Sequence, residues 1–169
     1  MHTEPQVDQR AAQPYMAIRT QITMGDLGSG LIPQLLGEVF AWLGARGIAP
    51  AGPPLIRYRV IDMARRLEVD LGVPVAAAAP GDGRVQPGRL PAGRYASLIY
   101  TDVTQGVPAN RALLEWGAAQ GLVWDRWETP QGDGWGGRVE FYLDGPADDP
   151  DPAHWRTAVA IRIADAAPA

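Results

Sequence analysis

The sequence predicts an α+β fold: two tandem strand-helix-strand-strand modules forming one antiparallel sheet, with two main helices on one face. Two observations carry this. Apolar residues recur at helical spacing in two separate stretches, and each stretch is preceded by one alternating segment and followed by two. The ends of the two helical stretches also overlay: "WLGARGI" from Trp42 and "WGAAQGL" from Trp116 share Trp, Ala and Gly in register, the Gly standing where a helix C-terminus favours a positive φ.

In chain order, "YMAIRTQIT" (15–23) reads as a strand with Met16, Ile18 and Ile22 on one face. A helix follows, with Pro33 in its first turn, where the missing N–H is harmless, and with Ile32, Leu35, Leu36, Val39, Phe40 and Leu43 as its apolar stripe; Gly47 stops it. "PPLIRYRVI" and "RLEVDLGVPV" read as two strands around a short connection. The Gly/Pro-rich link "PGDGRVQPGRLPAG" leads to the strand "RYASLIYTDV" and the helix "VPANRALLEWGAAQG". The strands "GGRVEFYLD" and "RTAVAIRI", joined by the acidic loop "GPADDPDPAHW", complete the second module. Residues 1–14 are expected to be a flexible tail, 15–164 one domain with pseudo-repeats 15–75 and 93–163, and 165–169 a C-terminal tail. Trp42 and Trp116, at matching positions, are expected to pack their helices on the sheet.

Composition narrows the function. A chain of 169 residues, 46% hydrophobic and 20% charged, supports one globular domain. Its net charge of -4 and lack of a basic stripe argue against nucleic-acid binding. No run is apolar enough for a signal peptide or a membrane span, so a cytoplasmic location is expected. There are no cysteines and only two histidines, His2 and His154, which leaves no thiolate or histidine metal site and no cysteine nucleophile. "GDLGSG" lacks the Lys and Thr of a phosphate loop, "GDGWGG" lacks a strand-to-helix context, and "ADDPDP" lacks calcium-loop spacing, so no cofactor or metal is expected.

The informative stretch is "GGRVEFYLDGP" (136–146). Val139, Phe141 and Leu143 alternate on one face, which leaves Glu140 and Tyr142 on the other. A mid-strand carboxylate either faces water or lies in a cavity, where it has to be paired or neutralised. The overlay sets Tyr58 against Tyr142 and Ile56 against Glu140, so the acid is private to the second module.

The run "GEVFAWLGARGIAPAGPPLIRY", then "LEVDLGVPV", "GRLPAGRYASL", "VEFYL" and "DPDPAHWRTAVAIRI" resembles the GyrI-like small-molecule-binding domains, the effector-binding domains of some multidrug-responsive regulators. The resemblance spans residues 15–163. It implies a pocket for bulky, often cationic and aromatic ligands, with an acid inside it in a "Glu-x-Tyr" pattern that Glu140 and Tyr142 match. Many relatives carry a fused helix-turn-helix; the fourteen residues before Tyr15 leave no room for one, so a stand-alone member is expected. Two departures stand out. Thr157-Ala158-Val159 replaces a "Thr-Glu-Val" pattern, removing a second carboxylate at Ala158, and "TDVTQGVP" replaces the "Gly-Pro-Tyr" after the fourth strand.

The expected ligand site is therefore Glu140 as anchor for a cation, with Tyr142 and Tyr58 as walls, since aromatic faces attract delocalised cations. Tyr100 is either core or wall. Trp124, Trp127 and Trp135 flank or lie in a segment inserted before the Glu140 strand; Trp135 is either a lid or a rim residue. Trp155 either closes the pocket or staples the last strand. Glu68 and Asp70 share a strand face and read as exposed or cation-attracting. The leading expectation is a binding protein for hydrophobic, cationic aromatic small molecules. The alternatives are a hydrolase of cyclopropane-bearing or related electrophiles, using Glu140 as base and Tyr142 as donor, and an inhibitor that binds a protein partner, which the acidic charge permits.

Overall fold

A computed structural model describes residues 1–166; the expected C-terminal tail from 165 lies partly outside them. Its strands are β1 (Gln6–Arg10), β2 (Gln13–Ile22), β3 (Leu55–Ile61), β4 (Leu67–Pro74), β5 (Val85–Leu90), β6 (Gly93–Thr101), β7 (Arg126–Thr129), β8 (Gly132–Trp135), β9 (Arg138–Tyr142) and β10 (Arg156–Arg162). Helix α1 (Leu31–Ala45) follows β2, and α2 (Gly106–Ala119) follows β6. The fold is α+β, with one antiparallel sheet in the order β1-β6-β10-β9-β3-β4-β2-β5 and the β7–β8 hairpin attached to β3 through β8.

The two helices are built alike. Pro33 and Pro108 are each the third helical residue, among the amides that have no intrahelical partner anyway. Both helices end at a glycine of positive φ, Gly47 at 65° and Gly121 at 74°. At each end the next residue's amide reaches back, Ile48 N to Leu43 O at 3.0 Å and Leu122 N to Gly117 O at 2.9 Å. This is the Schellman arrangement, which satisfies carbonyls the helix would leave orphaned. Phe40, expected in the apolar stripe, is 39% exposed at its margin, while Ile32, Leu35, Leu36, Val39 and Leu43 are buried.

Both helices cover the same face of the sheet. Under α1, Met16, Ile18, Ile56, Val69 and Leu71 pack with Leu35, Val39 and Leu43; under α2, Ala96, Leu98, Val159 and Ile161 pack with Leu113. Each such side chain, fully buried, stabilises the fold by roughly 1.5–3 kcal/mol. Trp42 packs against the first cluster and Trp116 against the second, as the matched positions imply. The opposite face has its own smaller cluster of Tyr15, Ala17, Leu55, Leu90, Tyr95, Val139 and Ala160.

Three segments read as tail, link or inserted loop are strands instead. Residues 6–10, placed in the flexible tail, form β1 against β6, and residues 85–90 of the Gly/Pro-rich link form β5 against β2. Both lie at sheet edges, where one side of the strand needs no partner, so β5 tolerates Pro87 and Gly88. β1 is mostly polar because it is mostly exposed, which erased its alternation signal. The insertion before the Glu140 strand folds as the β7–β8 hairpin, with Gly132 at φ 133°.

Glycines of the two helices should respond oppositely to alanine. At Gly117 an added Cβ would fall within the Trp124 ring, whereas at Gly44 it would meet nothing within 4 Å. Gly117→Ala should destabilise by about 1–3 kcal/mol through overpacking, and Gly44→Ala should stabilise by up to about 1 kcal/mol through helix propensity. Urea denaturation of the two variants checks both signs.

Candidate functional site

The β3–β9 pair is where the strands that flank α1 meet those that flank α2. Its register sets Ile56 directly opposite Glu140, the two positions the sequence overlay equates. In an antiparallel pair, positions at equal offsets from facing residues are related by a local two-fold, so Tyr58 and Tyr142, each two residues on, lie on either side of that point. β9 sends Val139 and Phe141 to the face away from the helices. Arg138, Glu140 and Tyr142 consequently point to the helix side.

Glu140 is 6% exposed. Its Oε2 accepts the Tyr58 hydroxyl at 2.5 Å and its Oε1 accepts the Tyr100 hydroxyl at 2.9 Å. Tyr58 belongs to the core under α1 and Tyr100 to the core under α2, so the carboxyl group is the polar link between two apolar clusters. Tyr142 packs against the α1 cluster, and its hydroxyl has no hydrogen-bond partner among the described residues. Burial first, and then the negative charge of Glu140, push the Tyr58 and Tyr142 hydroxyls well above the ordinary phenol value; Tyr100 is raised by the same two causes. All three therefore keep their protons at neutral pH and present donors to the site.

Of the expected site residues, Glu140, Tyr58, Tyr100 and Tyr142 come together. Trp135 is buried in the α2 cluster, with the Arg138 guanidinium 4.4 Å from its ring centroid. Trp155 is placed otherwise: its indole N–H donates to the Asp149 carbonyl at 2.7 Å, tying its own loop, and it belongs to none of the three buried clusters. Sequence reasoning missed Arg138 and Asn110 of α2, whose Oδ1 accepts from Arg138 Nη2 at 3.1 Å. Strand parity could have found Arg138, two residues before Glu140.

Asp70 is not exposed. It is 2% accessible on the opposite face, where it accepts Tyr15 Oη at 2.5 Å, Arg19 Nε at 2.9 Å and Arg59 Nε at 2.7 Å. Burial alone would push its carboxyl up, but the hydrogen bonds from Arg19, Tyr15 and Arg59 outweigh it and hold it below the usual carboxylate value. This side holds two grooves, one of about 400 Å³ lined by Tyr95, Val139 and Phe141 among others, and one of about 470 Å³ beside Asp70 and Arg19. Among the described residues no group of three His, Cys, Asp or Glu is placed to hold a metal. No helix is long and apolar enough to cross a membrane.

The family model for the GyrI-like small molecule binding domain matches residues 3–164, and the chain belongs to that family. No curated protein matches the sequence significantly. Among solved structures, the EcmrR–DNA complex is similar at a TM-score of 0.75 and 15% identity, covering 96% of this chain and 58% of that one, so this chain spans little more than half of that regulator. The isolated EcmrR C-terminal domain is similar at a TM-score of 0.73 and 15% identity, covering 96% and 98% of the two chains. SAV2435, solved bound to tetraphenylphosphonium, is similar at a TM-score of 0.56 and 12% identity, covering 96% and 94%. At these identities the likeness is one of fold.

Asp70→Asn should destabilise the protein by roughly 1–3 kcal/mol at neutral pH, because a buried acceptor of three hydrogen bonds is replaced by an amide that is half donor, while Arg19 and Arg59 stay partly solvated. Since the folded carboxyl is held below its unfolded value of about 3.9, its contribution is fully present above that pH and is lost as pH falls through the folded value. The stability difference between wild type and Asp70→Asn, measured by urea denaturation, should shrink below about pH 4.

Proposed function

We propose that the protein binds bulky hydrophobic, aromatic compounds bearing a positive centre, and so sequesters or senses them. Glu140 is the anchor, Tyr58, Tyr100 and Tyr142 are the walls, and Trp135 flanks the site. The observation that carries this reading is the Glu140 carboxyl group itself, sequestered in the sheet and held by hydroxyls from both halves of the chain. As a carboxylate in a desolvated setting it would attract a cation far more strongly than one in water. Tyrosine faces add cation–π attraction and large apolar area. The two hydroxyls hold it by hydrogen bonds and, among the described residues, it makes no salt bridge, so a ligand's positive centre would be its first direct ion-pair partner. A similar fold bound to tetraphenylphosphonium, a bulky aromatic cation, supports the ligand class.

Tetraphenylphosphonium titrated into the protein should quench tryptophan fluorescence saturably, and Glu140→Gln should weaken that binding by at least about tenfold, which corresponds to 1.4 kcal/mol. Unchanged binding in Glu140→Gln would sink the anchor role. Time-dependent loss of a strained cyclopropane electrophile, abolished by the same substitution, would assign hydrolysis to Glu140 instead.

A further inference from the structure

The Glu140 site contains a cation of its own. Arg138 projects from β9 on the same face, two residues away, which on an extended strand is a rise of roughly 6.5 Å. Its guanidinium lies over Trp135, 4.4 Å from the ring centroid, and only Nη2 has a polar partner, the neutral side-chain oxygen of Asn110. Nε is fully shielded and has no acceptor; neither has the indole N–H of Trp135 beneath it. Among the described residues Nη1 makes no hydrogen bond and the side chain makes no ion pair. The carboxyl groups whose charges it feels, those of Glu140 and Asp133, are engaged elsewhere, Glu140 by two tyrosine hydroxyls and Asp133 by Arg126 at 3.1 Å.

A guanidinium cannot shed its charge in a protein, and a sequestered charge without a counter-ion is costly. Among the described residues Arg138 is thus a donor-rich cation with no anion in direct contact, next to a carboxyl group with no cation in direct contact. A ligand with a positive centre alone would satisfy Glu140 and be repelled by Arg138. A ligand that also carries an anion would satisfy both.

We propose that Arg138 is a specificity residue of the Glu140 site, selecting hydrophobic aromatic zwitterions, with the ligand's cationic centre at Glu140 and its carboxylate or similar anion at Arg138, over simple aromatic cations. The proposal rests on the small-molecule reading of the Glu140 site and names its ligand class. The planar fork of Arg138 suits a carboxylate, which it can meet with two parallel N–H bonds. Trp135 lies under that fork, its ring centroid 4.4 Å from the guanidinium carbon.

The test uses the full chain and two probes that share one scaffold, a cationic rhodamine with its pendant carboxylate blocked as the ethyl ester and the same rhodamine as the free acid, each followed by fluorescence polarisation. Wild type should bind the acid about tenfold more tightly than the ester, the scale of one charge-assisted contact. Arg138→Gln should erase that preference by weakening acid binding, while Arg138→Lys should retain part of it. Thermal melts of both variants should show a cooperative transition, which separates a change in binding from a loss of fold. Equal binding of the two dyes by wild type, or an acid preference that survives Arg138→Gln, overturns the proposal. The parent reading fails separately: Glu140→Gln without effect on the ester removes the anchor but leaves the Arg138 preference standing, and saturable binding of neither dye overturns both.

Discussion

The structure depends on a carboxyl group that the fold has buried at the meeting of its two halves. A polar group taken out of water must find partners inside, and the partners of Glu140 come from different places: Tyr58 from β3, beside it in the sheet, and Tyr100 from β6, beyond β10. Each tyrosine is rooted by its ring in a different apolar cluster. The hydroxyls thereby fix the helix-covered halves relative to one another at one atom group. The burial that raises those hydroxyls also keeps them protonated, so the clamp persists wherever the protein is folded at neutral pH.

The edge strands reinforce the same meeting line. β1 immediately precedes β2 in the chain but pairs with β6, and β5 immediately precedes β6 but pairs with β2. Each half thus lends a strand to the far edge of the other, and pulling the halves apart at β3–β9 would also strip both edges. Behind β9, Val139 and Phe141 pack beside the Tyr15–Asp70–Arg59 cluster, so the strand that carries Glu140 is held from both faces.

What was legible in the sequence followed from periodicity. The helices, the strands β2, β3, β4, β6, β9 and β10, and the equivalence of Ile56 and Glu140 in the two repeats were all readable, because buried elements must repeat apolar residues and duplicated ones repeat their ends; that the two face each other across β3 and β9 was not. The edge strands β1 and β5 were not, since exposure removes the apolar alternation and tolerates proline. Asp70, read as exposed or cation-attracting, does bind cations, but its burial was not legible for a related reason: its partners Tyr15, Arg19 and Arg59 lie on β2 and β3, and no local pattern reveals that three donors converge on one carboxylate. Trp155 was ambiguous because an indole's partner, here a carbonyl six residues back in its own loop, is a matter of loop conformation.

Arg138 and Glu140 pose the remaining question of why opposite charges two residues apart on one face do not pair directly. Side chains at such spacing on a strand lie within reach of each other when both are long. Each is instead drawn off, Glu140 by tyrosine hydroxyls and Arg138 by the Trp135 face and Asn110. A direct ion pair would have compensated both charges with no need for these four residues. Under the proposed reading, the charges kept apart offer a ligand two opposite poles beside aromatic rings. In that reading the aromatic residues serve twice, drawing the two charged groups apart and offering apolar area to a ligand.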